Sequence, residues 1–258
     1  MLTLERIASF YPEYLAGYPR FLLREYLQHK IIEIIYDTQY GQSLSFMGGT
    51  CLRIVHENKR FSEDLDFDNR GMNEREFNNL TKQIKMKLEL EGYTVEIKEV
   101  IRGAWHCYIR FPGLLFKEGL SGYREEKILI QIDTEPQHID YEPERIIVNK
   151  FDIFATVLTT PLSLLLSQKI YEILNRKRKK GRDFYDVVFL YGRGVVPDFQ
   201  FLQAKTGIAD SEKLKSAILE IVQDIDMRRM SKDVEPFLFR PEEKKKVLLF
   251  KDFCRQKM

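Results

Sequence analysis

The chain has almost no net charge. Its 41 Lys and Arg nearly cancel 39 Asp and Glu, leaving +2 at neutral pH. It is no polycation, so any contact with nucleic acid has to come from a local basic patch. Cysteine is scarce: Cys51, Cys107 and Cys254 are far apart and form no C-x-x-C. That argues against a disulfide framework and a thiolate zinc site, and it fits a reducing compartment. The four histidines, His29, His56, His106 and His138, make no H-E-x-x-H pattern, so a zinc site is not expected. Ser62 lacks the glycine-flanked elbow of a serine nucleophile. No run of about 18 apolar residues exists, so no transmembrane helix is expected. The opening MLTLERIASFYPEYL has neither the basic start nor the apolar block of a secretory signal, so a cytoplasmic location and no membrane partner are expected. Internal repeats and low-complexity linkers are absent as well.

What is present suits a folded protein. The 258 residues allow one large domain or two modest ones, and 18 Phe and 13 Tyr supply apolar surface to bury. From Leu2 to Asp37, apolar residues recur at helical spacing, as in Phe21, Leu22, Tyr26, Ile31, Ile32 and Ile35. A short strand is expected at Leu44 to Met47, a helix over Thr50 to Glu57, and a strand at DLDFDN. Asn73 reads as an N-cap with Glu76 in the first turn, opening a helix that ends near Gly92. Strands are expected within YTVEIKEVI, AWHCYIRF and KILIQID, with Trp105 and Phe111 in the core. From Phe151 onward the pattern is almost wholly helical. The expected fold is therefore α+β, with a core over residues 1–150 and a helical domain over 151–258.

The chemistry concentrates in Gly48-Gly49-Thr50, followed after thirteen residues by Asp64-Leu65-Asp66-Phe67. Residues two apart in a strand share a face, so Asp64 and Asp66 are expected to project together. Two adjacent carboxylates repel unless a cation lies between them. Magnesium suits such oxygen ligands when phosphates complete its shell. Glycines before a helix let backbone N–H groups approach a phosphate, and Thr50 adds a hydroxyl.

The stretch FMGGTCLRIVHENKRFSEDLDFD, with the later Lys169 and Arg182-Asp183-Phe184-Tyr185-Asp186, resembles the AbiEii/AbiGii toxin family of the nucleotidyltransferase superfamily. The resemblance spans roughly residues 40 to 190. It implies a polymerase-β-like core with a mixed sheet and flanking helices, followed by a helical domain. It also implies nucleotide transfer from a nucleoside triphosphate to an acceptor, with tRNA ends the acceptor in characterised relatives. A place in a toxin–antitoxin or phage-defence pair beside an antitoxin would follow. Carried over, Gly48, Gly49 and Thr50 would hold phosphates, and Asp64 and Asp66 would bind magnesium or manganese. Lys169 would contact the triphosphate, with Arg182, Asp183 and Asp186 at the site. Relatives place a third carboxylate in the strand resembling KILIQIDT. Here Gln131 stands at that position. Asp133, on the same strand face, is the first candidate substitute for metal and proton, with Glu135 a second candidate and Asp183 an alternative for the proton or a second metal.

Arg60, before F-S-E-D, is expected to orient the loop or to pair with Glu63, and Arg53 flanks the same loop. The run Arg176 to Lys180 is open to two readings, a solvated face or a contact to an RNA backbone. Lys244, Lys245 and Lys246 are expected to be a solvated face on a helix over 241–251. Two alternatives stay open. The acceptor is a small molecule or a protein, or Gln131 marks a degraded nucleotide-binding protein without transfer.

Overall fold

The computed structural model describes residues 2–258. The chain forms two compact units. The first runs to Glu57 and resumes over Phe61–Thr160; the second comprises Asn58–Arg60 and Pro161–Met258.

In the first unit the order is α1 (Leu4–Ala8), α2 (Pro19–Tyr36), β1 (Leu44–Met47), α3 (Gly48–Ile54), β2 (Leu65–Asn69) and α4 (Glu74–Leu90). Then come β3 (Glu96–Arg102), β4 (Ala104–Phe111), α5 (Leu114–Lys117), β5 (Ile128–Glu135), β6 (Glu144–Lys150) and β7 (Ile153–Thr159). The helical pattern expected from Leu2 to Asp37 is split. Pro19 occupies the first turn of α2, where its missing N–H costs nothing, so a fresh helix begins there. At α4 the Asn73 side chain accepts from the Glu76 N–H, and the Glu76 side chain accepts from the Asn73 N–H, completing a capping box.

The seven strands form one mixed sheet in the order β3-β4-β5-β2-β1-β7-β6. Strand β1 runs antiparallel to β2 and parallel to β7, and β2 runs parallel to β5. Alternation gives the sheet two chemically different faces. Phe46, Phe67, Ile132, Cys107 and Ile109 share one face through their register and are buried. Asp66, Asp133, Gln131, His106 and Tyr108 share the other face and are only half-buried.

The expectation of helix from Phe151 onward fails at its start. Residues Glu144–Lys150 and Ile153–Thr159 pair as an antiparallel hairpin instead. Strand β7 alternates buried Ile153, Ala155 and Val157 with exposed Phe154 and Thr156, a two-residue period that the short apolar run masked.

The second unit is helical: α6 (Leu162–Asn175), α7 (Gly181–Gly192), α8 (Phe199–Thr206), α9 (Ser211–Gln223), α10 (Met227–Val234), α11 (Lys245–Leu248) and α12 (Phe250–Lys257). The single helix expected over 241–251 is broken. A 3-10 turn covers Pro241–Lys244, and Leu249 separates α11 from α12. The Arg60 strand segment bridges to Leu238, and the Phe239 N–H donates to the Lys59 carbonyl at 3.1 Å, which ties residues 58–60 into this unit. No helix among the described residues is long and apolar enough to cross a membrane.

Candidate active site

In the first unit the chain passes from β1 into α3 at Gly48, whose φ of +77° favours glycine. A Cβ built there would fall 2.8 Å from Cγ of Asp66 and 2.9 Å from its Cβ. The backbone at Gly48 therefore lies directly against the Asp66 carboxylate, a closeness no side-chain-bearing residue permits. Met47, the N-cap of α3, gives its helix no side-chain cap. Thr50 is buried, and its hydroxyl donates to the Asp64 carbonyl. As folded, Thr50 ties the start of β2 to α3. Asp64 itself lies one residue before β2.

Asp66 is in register with Met47 on β1 and with Asp133 on β5. Neighbouring strands run about 4.8 Å apart, so Asp66 and Asp133 are adjacent acids on one face. Asp133 is in turn opposite His106 on β4. Its Oδ1 lies 2.6 Å from His106 Nδ1, and the Gln131 amide nitrogen donates to Oδ1 at 2.7 Å and to Oδ2 at 3.0 Å. The His106 and Asp133 side chains are 28% and 29% exposed, so a ligand can reach them. One step further along β2, Asp68 is buried and satisfied, accepting from the Tyr141 hydroxyl at 2.7 Å and the Gln137 N–H at 2.9 Å. Burial pushes the Tyr141 hydroxyl up to about 12; its bonds with Ser45 and Thr160 oppose the rise and the Asp68 carboxylate adds to it.

Among the described residues, no group of three or more His, Cys, Asp or Glu side chains is arranged to hold a metal ion. The donors nevertheless suit magnesium. They are hard carboxylate oxygens, and that ion is commonly held by one or two protein carboxylates with water and phosphate completing its shell.

In the second unit a buried ionic cluster gathers the other residues singled out from the sequence. Arg60 holds Asp186 with two bonds, Nε to Oδ1 at 2.7 Å and Nη2 to Oδ2 at 2.6 Å, and Asn58 donates to Oδ1 at 2.8 Å. Burial alone would raise the Asp186 carboxyl, but the Arg60 guanidinium outweighs it and holds the group below the ordinary range. Asp183 is also buried, with Lys169 Nζ 3.2 Å from Oδ1 and Arg176 Nη1 2.8 Å from Oδ2. Lys169 lies 3.6 Å from Asp186 as well. So Asp183 and Asp186 fix the Lys169 ammonium from two sides. Arg182 is half-buried, and no ion pair or hydrogen bond engages it among the described residues. Of the basic run, Arg176 is occupied by Asp183 and Glu172, whereas Lys177 and Arg178 are exposed.

The family model described as nucleotidyl transferase AbiEii toxin, type IV toxin–antitoxin system, matches residues 31–247. The chain belongs to that family. Two solved structures share its fold at 16% identity. JHP933 from Helicobacter pylori superposes with a TM-score of 0.54 over 92% of this chain and 90% of the other. A proposed nucleotidyltransferase from H. pylori gives 0.56 over 92% and 93%. No curated protein matches the sequence.

One expectation for this AbiEii-family chain needs correction. Arg60 does not pair with Glu63; Glu63 takes Arg24, at 2.7 Å. Arg53, which flanks the same loop, has another partner. It forms a two-bond pair with buried Glu25, at 2.9 and 3.0 Å, and Lys150 joins them at 2.9 Å. Burial would raise Glu25, but Arg53 and Lys150 outweigh it and bring the carboxyl down to about 2. Glu25 and His29, one turn apart inside the apolar face of α2, were the sequence signal for this cluster. His106 at the candidate site was missed because cross-strand register cannot be read from one strand alone.

Proposed function

We propose that this toxin-family protein transfers a nucleotide from a nucleoside triphosphate to an RNA 3′ end, with tRNA as the acceptor. The observation that carries the reading is the adjacency of Asp66 and Asp133 on an accessible sheet face, with the Gly48 backbone pressed against Asp66. Asp64 and Asp66, joined by Asp133, would hold magnesium, with manganese as its substitute. When bound, the ion offsets triphosphate charge and eases ionisation of the acceptor hydroxyl. Gly48 and Gly49 leave room for a phosphate beside the uncapped start of α3. Thr50 holds the Asp64 backbone in place. The acceptor oxygen bonds to the α-phosphorus, the bond to the bridging oxygen breaks, and pyrophosphate leaves. Asp133 receives the hydroxyl proton. Lys169 and Arg182 are assigned to the triphosphate, and Asp183 holds Lys169 in position; fixed cations are the main catalytic tool in such transfers. A cognate antitoxin, a role in phage defence and a cytoplasmic setting complete the proposal.

The test is incubation of the protein with total tRNA, magnesium and each labelled triphosphate in turn, beside Asp64→Ala and Asp66→Ala. Label entering RNA with the wild type alone supports the proposal and names the nucleotide. Label entering RNA equally with both variants refutes this site. Triphosphate binding without label in RNA redirects the search to small-molecule or protein acceptors.

A further inference from the structure

The family resemblance reads Gln131 as standing where an acid is expected, which alone would suggest erosion of the site. Its surroundings say otherwise. Its amide donates to both oxygens of Asp133, two residues along the same face. From the neighbouring strand, His106 stands directly opposite Asp133 and meets Oδ1 at 2.6 Å. Facing a carboxylate oxygen at that distance, Nδ1 carries the proton and donates it. An Asp carboxylate otherwise turns freely about its last torsion, which is broad and two-fold. Donors from two directions remove that freedom.

We propose that His106 and Gln131 are positioning residues that fix the Asp133 carboxylate for its work. The inference rests on the reading of Asp133 as the third carboxylate. A carboxylate offers about four lone-pair sites, and these two neighbours take at most three. One therefore stays open for an acceptor hydroxyl or an ion. An acid at position 131 would do the opposite. It would remove the donor and set a further negative charge beside Asp133, which already has Asp66 across the sheet. The same logic explains why the donors are an amide and an imidazole. Both hold a carboxylate without the strong ion pair that a Lys or Arg would form, which would compete with an incoming cation.

Two measurements decide it. The first is steady-state nucleotide transfer by His106→Ala, His106→Asn, Gln131→Ala and Gln131→Glu. Loss of a partner that orients a ligand costs about ten- to a hundredfold. His106→Ala and Gln131→Ala should fall by that much in kcat, while KM for the triphosphate stays within about twofold. His106→Asn, which can still donate, should recover part of the loss. Gln131→Glu should fall rather than rise. The second is the 15N-histidine NMR spectrum of the wild type, in which one Nδ1–H proton should lie far downfield of the other histidines and vanish in Asp133→Asn. Unchanged kcat in His106→Ala, a gain in Gln131→Glu, or no such proton overturns the proposal. If the wild type transfers nothing, the transfer reading fails by itself, and positioning of Asp133 stands or falls on the NMR signal.

Discussion

Gly48 and Asp66 are in such close contact that a single added methyl would overlap the acid: the Cβ of an alanine at 48 would fall 2.8 Å from Cγ of Asp66. The backbone there also has positive φ, which costs a non-glycine residue about 1–2 kcal/mol. Gly48→Ala should therefore displace the carboxylate while the sheet stays folded. A misplacement of about 1 Å at a reacting centre can cost about 100-fold. Transfer should drop by at least that much, with the thermal midpoint lowered by only about 2–8 °C. A fully active Gly48→Ala would show that Asp66 need not sit where it does.

The Arg60–Asp186 pair predicts a large asymmetry between single and double changes. Removing one partner of a buried ion pair costs roughly 3–5 kcal/mol, because the other charge is left buried alone. Arg60→Met and Asp186→Leu should each lose about that much in urea unfolding. The double variant should recover most of it. Additive losses would mean that the pair is not a closed unit.

Gly181 predicts a packing defect inside the helical unit. A Cβ at this position would overlap the Met230 carbonyl and lie 3.1 Å from the Val234 nitrogen, so α7 and α10 cannot keep their approach. Gly181→Ala should destabilise by about 1–3 kcal/mol, as overpacking does. Calorimetry of the melt checks it, and an unchanged midpoint would rule it out.

His29 predicts a pH window. Burial lowers its imidazole to about 4, against an ordinary 6.5, with the Glu25 charge opposing. The unfolded chain binds this proton below pH 6.5, but the folded one binds it only below about 4. Stability is therefore full above 6.5 and falls as pH drops through the window, by roughly 3 kcal/mol in all. His29→Phe keeps a ring beside Phe151 and removes the titration. Its melting midpoint should be flatter between pH 6.5 and 4 than that of the wild type.

Much of this molecule was legible where local rules decide. Strand β1 ends at the glycine pair because alternation and the break are both local. The Asn73–Glu76 capping box followed from a three-residue spacing. The paired acids stood out through residue type and spacing, and Lys169 through the family resemblance. What escaped depends on distant partners. The β6–β7 hairpin hides in a short apolar run, which reads as helix or strand equally well. Arg60 found Asp186 rather than the nearby Glu63, because the loop carrying it packs with the helical unit. The Asp133–His106 contact follows from antiparallel register, which one strand cannot reveal.

Residues 58–60 give the helical unit a history as well as a shape. They are synthesised well before their partners, Asp186 and the backbone of Phe239. The second unit has no complete set of parts until the chain has reached Phe239. A fragment beginning at Pro161 would lack the guanidinium that neutralises Asp186. This protein is therefore poorly suited to being cut at its unit boundary, because the helical unit is completed by a short segment made more than a hundred residues earlier.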